Sequence, residues 1–193
     1  MGEVVRRILD STAFLKEFEK IRAIPDEAER NKQEEMLQEI FDKLIDWDNY
    51  LHEYEYKQHC QEVLSRGVKA TSLDWQTVAA QWDDLFAAKM PQAVRDEIHY
   101  EQFKWHIFSY EELHALHRED AQSAFDQQKK DTAYVLFQYE NRAYRLENAS
   151  LLKSEDLEQG YTYTDYYIFD EQRRWTYVHT HELQCGPYFY QAK

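Results

Sequence analysis

"YTYTDYYIFDEQRRWTYVHT", residues 161–180, is the stretch on which the fold turns. Rings and β-branched residues fill both halves, and the polar break at residues 170–173 divides them, so the spacing predicts two antiparallel strands joined by a tight turn. Side chains alternate along a strand. Tyr161, Tyr163, Asp165, Tyr167 and Phe169 therefore share one face, while Tyr166 and Ile168 occupy the other. Rings on both faces mean either a strand buried on both sides or a face that awaits a partner.

Upstream, "AYVLFQYENRAYRLEN" (residues 133–148) has the same character, with a turn near Asn141. "SLLKSEDLEQG" (residues 150–160) separates the two pairs as a loop or short helix ending at Gly160. The first half of the chain has a different period. Val5, Ile8, Leu9, Leu15, Phe18 and Ile21 recur at helical steps, and Pro25-Asp26 ends one helix and starts another. From there to Gly67 no glycine or proline intervenes. Leu37, Ile40, Phe41, Leu44, Trp47, Leu51 and Tyr54 form an apolar stripe on one long helix or on two with a bend.

Trp75, Val78, Ala79, Trp82, Leu85 and Phe86 define a further helical face after Ser72. "KWHIFS" (residues 104–109) has strand composition, and Ser109 with Glu112 forms a capping-box pattern for a helix running toward Lys129 and Lys130. The fold class is α+β: an N-terminal helical extension, residues 1–66, and an antiparallel sheet domain with packed helices, residues 67–193.

The 193 residues suffice for a substantial core. A formal net charge of −14, from 23 basic and 37 acidic residues, disfavours ordinary nucleic-acid binding and attachment to anionic lipid. It suits a basic protein partner, which carboxylates around Asp42, Asp46 and Asp48 would meet. A second copy of the chain, pairing through the N-terminal helices, is the other partner that this stripe fits. Two widely separated cysteines, no signal segment and no long apolar run suggest a reduced, cytoplasmic protein.

The densest chemistry closes the chain: "WTYVHTHELQCGPYFY", residues 175–190. Continued strand alternation would place His179 and His181 beside Trp175 and Tyr177, with Glu182 opposite. Two histidines at that spacing can share a metal, with His106 or Cys185 as a third ligand and Glu182 as acid or base. Cys185 as a nucleophile, with a histidine base and Glu182 orienting it, is the covalent alternative. His114 and His117 lack the HExxH spacing. Tyr161, Tyr163, Tyr167, Trp175 and Tyr177 are candidate interface anchors.

"FKWHIFSYEEL", "YRLENASLLKSEDL" and "WTYVHTHELQCGPYF" together resemble a small bacterial family, of the Firmicutes type, known only as a domain of unknown function, over about residues 63–193. The resemblance implies a compact intracellular domain with no assigned reaction and no cofactor. The Trp…Thr-His-Glu ending is also similar to endings among bacterial toxin-immunity proteins. The chain is therefore expected to be a non-enzymatic interaction module, inhibitor or immunity-like, with an acidic, Tyr-rich surface. A metal-dependent hydrolase built on His-x-His-Glu is the alternative, and mimicry of nucleic acid by rows of carboxylates is a third.

Overall fold

The computed structural model describes residues 8, 12–158, 164–170, 172, 174–182 and 184–192. The chain divides into two compact units, Met1–Gln58 and His59–Lys193.

The first unit contains α1 (Thr12–Arg22) and most of α2 (Glu27–Ser65). Asp26 precedes α2 and its carboxylate accepts from the backbone N–H of Ala28 at 2.9 Å, so an otherwise unbonded amide of the first turn is satisfied. The helical segment α2 is continuous over 39 residues. Gly67 ends it as its position predicts: φ is +110°, a conformation that glycine adopts without a steric penalty. The apolar stripe divides into two. Leu37 is buried and Phe41, Leu44 and Leu51 are half-buried, whereas Ile40, Trp47 and Tyr54 face solvent.

The second unit is built on a seven-stranded antiparallel sheet in the order β1-β4-β3-β5-β6-β7-β2. Its strands are β1 (Lys69–Leu73), β2 (Leu116–His117), β3 (Thr132–Phe137), β4 (Arg142–Glu147), β5 (Tyr166–Asp170), β6 (Trp175–His179) and β7 (Tyr188–Gln191). Both expected hairpins form. Phe137 pairs with Arg142, with Asn141 at positive φ between them, and Asp170 pairs with Trp175.

Every residue of β5 and β6 is buried, which resolves the meaning of rings on both faces: helices cover the sheet on each side. One face packs Leu136, Ala143, Tyr167, Phe169, Val178 and Tyr188 against α3 (Trp75–Phe86) and the segment that follows, which includes α4 (Gln92–Glu97) and α5 (His106–Ser109). The other packs Val135, Leu146, Tyr166, Ile168, Trp175, Tyr177 and Phe189 against α6 (Glu119–Gln127) and the segment around α7 (Ser154–Glu158). A strand covered on both sides reads as a continuous apolar run, as "YYIF" does. Fully burying one such ring contributes about 1.5–3 kcal/mol.

Two local expectations are corrected, and one strand was not expected. "KWHIFS" ends in the helical turn α5, because Trp105, Ile107 and Phe108 all enter one core cluster, whereas a strand would send Phe108 to the face opposite the other two. Ser109 closes α5 and starts no helix. Glu111 turns through φ +61°, Leu116 and His117 add the short edge strand β2 to β7, and α6 begins only at Glu119. Finally, β1 is a strand that composition conceals, since Lys69–Ser72 are exposed and only its pairing with β4 identifies it.

Candidate functional site

The end of β6 departs from strand alternation. His179 is the last residue in register, opposite Tyr166, and its ring stacks on that tyrosine at 4.8 Å on the α6 side of the sheet. Beyond it Thr180 Oγ1 donates to the carbonyl of Glu182 at 2.8 Å, so the backbone turns. His181 consequently leaves the face of Trp175 and Tyr177 and enters the opposite layer, beside Trp105 and Phe103. The expected pairing of His179 and His181 on one face is thus overturned.

Asp165 determines how the His181 ring sits. It lies just before β5 and is completely buried. Its Oδ1 accepts from the backbone N–H of His181 at 2.7 Å and from Nδ1 of the same ring at 2.8 Å. Its Oδ2 accepts from the Trp105 indole at 2.9 Å. Because a carboxylate can only accept, Nδ1 carries a proton and Nε2 is the ring nitrogen left facing Glu182. Glu182 follows in sequence, its Oε1 4.0 Å from Nε2 and its Oε2 accepting from Cys185 Sγ at 3.3 Å. That arrangement differs from the expectation that Glu182 faces away from the histidine.

Aromatic rings enclose this pair. The centroids of Phe103, Trp105 and Tyr139 lie 5.8, 6.2 and 6.0 Å from that of His181. Burial, reinforced by the charges of Asp165 and Glu182, pushes the Tyr139 hydroxyl well above its usual range. Tyr167 lies beneath, donating to Gln138 Oε1 at 2.6 Å and accepting from the Trp105 amide at 3.1 Å. Burial beside Asp165 raises its phenol far above the ordinary value. His106 packs against Phe103 and Trp105, with Nδ1 bonded to the Ile98 carbonyl.

The remaining candidates are dispersed. Tyr167, Trp175 and Tyr177 are completely buried and act as core, not as surface anchors. Tyr161 and Tyr163 lie outside the described residues. Asp42 and Asp46 are exposed, but Asp48 is buried, with His52 3.8 Å away. His117 sits on β2, where it stacks on Tyr188 and bonds the Cys185 carbonyl, and so is not on a helix. Burial and the bond to Glu182 push the Cys185 thiol up, the reverse of what a nucleophile requires. Among the described residues, no group of three or more His, Cys, Asp or Glu side chains is placed to hold a metal ion.

A second feature lies on α2. At about 100° per residue, Met36, Ile40, Trp47, Tyr50 and Tyr54 fall within about 40° of one line along the helix. Each is 43–65% exposed. The row is about 27 Å long. The stripe expected from the sequence centres about 60° from this row and shares Ile40, Trp47 and Tyr54 with it, but omits Met36 and Tyr50.

Taken together, the fold is that of an α+β protein with an antiparallel sheet covered on both faces and an Asp165-oriented histidine at its rim. Residues 57–189 match the family model described as Domain of unknown function (DUF4275), and the chain belongs to that family. No curated protein and no solved structure matches it. Among the described residues, no helix is long and apolar enough to cross a membrane.

Proposed function

We propose that the protein is a non-enzymatic interaction module that binds a basic, amphipathic helical segment of another protein. The observation that carries this reading is the exposed row Met36, Ile40, Trp47, Tyr50 and Tyr54. An apolar row of that length on a water-exposed helix is costly unless it is covered, and aromatic residues are the commonest anchors at interfaces. The charge of the helix selects the occupant. Arg30, Lys32, Lys43 and Lys57 are the only basic residues of α2, against eleven acidic ones. A second α2 would bring like charges together, whereas a helix with lysines or arginines flanking an apolar stripe would meet opposite ones.

A synthetic leucine/lysine amphipathic helical peptide tests this in the full-length chain, with a scrambled peptide of equal charge as control. Saturable binding is expected, weakening as salt rises and falling at least tenfold in Trp47→Glu and Tyr50→Glu. Equal binding of the scrambled peptide, or variants that bind as well as the parent, would refute the proposal. A dimer in solution that dissociates in Trp47→Glu would instead assign the face to a second copy.

A further inference from the structure

We infer that the rim of the sheet unit holds a receptor for one guanidinium group, the arginine side chain of a basic partner, between His181 Nε2 and Glu182. The inference extends the reading of a basic partner to a separate locus, with its own residues and its own test.

Three observations carry it. First, His181 Nε2 and Glu182 Oε1 face each other at 4.0 Å, beyond hydrogen-bond distance. Asp165 holds a ring proton on Nδ1, so in the neutral imidazole both facing atoms are acceptors and, among the described residues, no donor lies between them. Second, the histidine is fixed. Backbone and ring both bond to a completely buried carboxylate that the Trp105 indole anchors from the other side, so little rotamer freedom is left to lose on binding. Third, the surroundings are aromatic and accessible: Phe103 and Tyr139 flank the imidazole, Tyr139 is 47% exposed, and the side chains of His181 and Glu182 are 29% and 42% exposed.

A guanidinium meets each of these features. Its planar fork donates in two directions at once, to the imidazole nitrogen and to the carboxylate, and its weakly hydrated faces stack on phenyl and phenol rings. An ammonium supplies the charge but neither the fork nor the stacking plane. Cys185 keeps the second oxygen of Glu182 occupied, and among the described residues no hydrogen-bond donor reaches Oε1. Asp165 is a positioning residue: it holds the proton on Nδ1, so that the neutral imidazole presents Nε2 as an acceptor.

The experiment titrates N-acetyl-arginine amide, and separately N-acetyl-lysine amide, into the 15N-labelled full chain, following the His181 ring nitrogens and the Trp105 indole. Saturable shifts of both are expected with the arginine probe, at least several-fold weaker with the lysine probe, and about tenfold weaker in Glu182→Gln, as for loss of one charge-assisted bond. Asp165→Asn is expected to move the His181 proton toward Nε2 and to weaken the arginine probe together with that change. Three results would overturn the inference: no saturable shift, equal response to both probes, or a free protein whose His181 Nε2 is already protonated against Glu182 at neutral pH. The helix variants Trp47→Glu and Tyr50→Glu leave this titration unchanged, so failure at one locus is separable from failure at the other.

Discussion

Lys130 offers the sharpest test of the packing. It follows α6, is only 1% exposed, and returns its Nζ to the carbonyl of Phe125 and to the face of the Phe125 ring, 3.9 Å from the centroid. Burial pushes its ammonium down to about 8, with Asp126 opposing the shift and Lys153 adding to it. The displacement from 10.5 corresponds to about 3 kcal/mol of differential stability. Below about pH 8 the lysine is charged in both folded and unfolded chains, and the folded state bears the full cost of burying it. Between about 8 and 10.5 the folded state sheds the proton while the unfolded state keeps it, so stability rises with pH, by at most about 1.4 kcal/mol per unit. Above 10.5 the cost is gone. Lys130→Met keeps the stem and removes the titration. Urea unfolding of parent and variant at several pH values between 7 and 10.5, read by tryptophan fluorescence, isolates the effect, because the tyrosines titrate alike in both. The parent is expected to gain on the variant by up to about 3 kcal/mol across that window. A stability difference that stays flat from pH 7 to 10.5 would refute the argument.

Two further outcomes follow from the closing segment. A Cβ on Gly186 would lie 2.8 Å from Oγ1 and 3.2 Å from Cγ2 of Thr180, itself 1% exposed, so Gly186→Ala should cost about 1–3 kcal/mol in urea unfolding, and Thr180→Ala in the same chain should recover part of it. Cys185, in a Cys60→Ser background, should react with iodoacetamide at pH 8 more slowly than the same thiol in urea, and Glu182→Gln should speed it by removing a charge that disfavours thiolate; a folded thiol as fast as the unfolded one would contradict the assigned contact.

The fold was legible where the backbone keeps one period long enough to count. Glu27–Ser65 runs 39 residues without glycine or proline and spaces Leu37 to Tyr54 at helical steps, and Thr132–Phe137 with Arg142–Glu147 alternate on either side of Asn141. Where the period was short, composition misled. Trp105, Ile107 and Phe108 have strand-forming side chains, but four residues of helix bring all three into one layer, and that choice is made by the core they enter. Lys69–Leu73 is a strand because β4 offers it partners, not because lysine, alanine and serine favour one. Lys130 reads in sequence as a solvated charge near a helix end, but the ring of Phe125 and its carbonyl draw it inside.

The candidate site failed to read for a related reason, and the failure explains what His181 is able to do. The two-residue period belongs to paired backbone, and β6 is paired only as far as His179. Once Thr180 turns the chain toward Glu182, the parity that would set His181 beside His179 no longer applies. Another rule takes over there: a buried carboxylate must have its acceptors filled. Asp165 fills one of them with the backbone and ring of His181, and that demand carries the histidine across the sheet to Trp105. The single acid within a run of tyrosines at residues 161–167 was the available signal. A carboxylate among rings has few donors to choose from, and the histidine it captures is left with an imidazole held at one nitrogen and offered at the other.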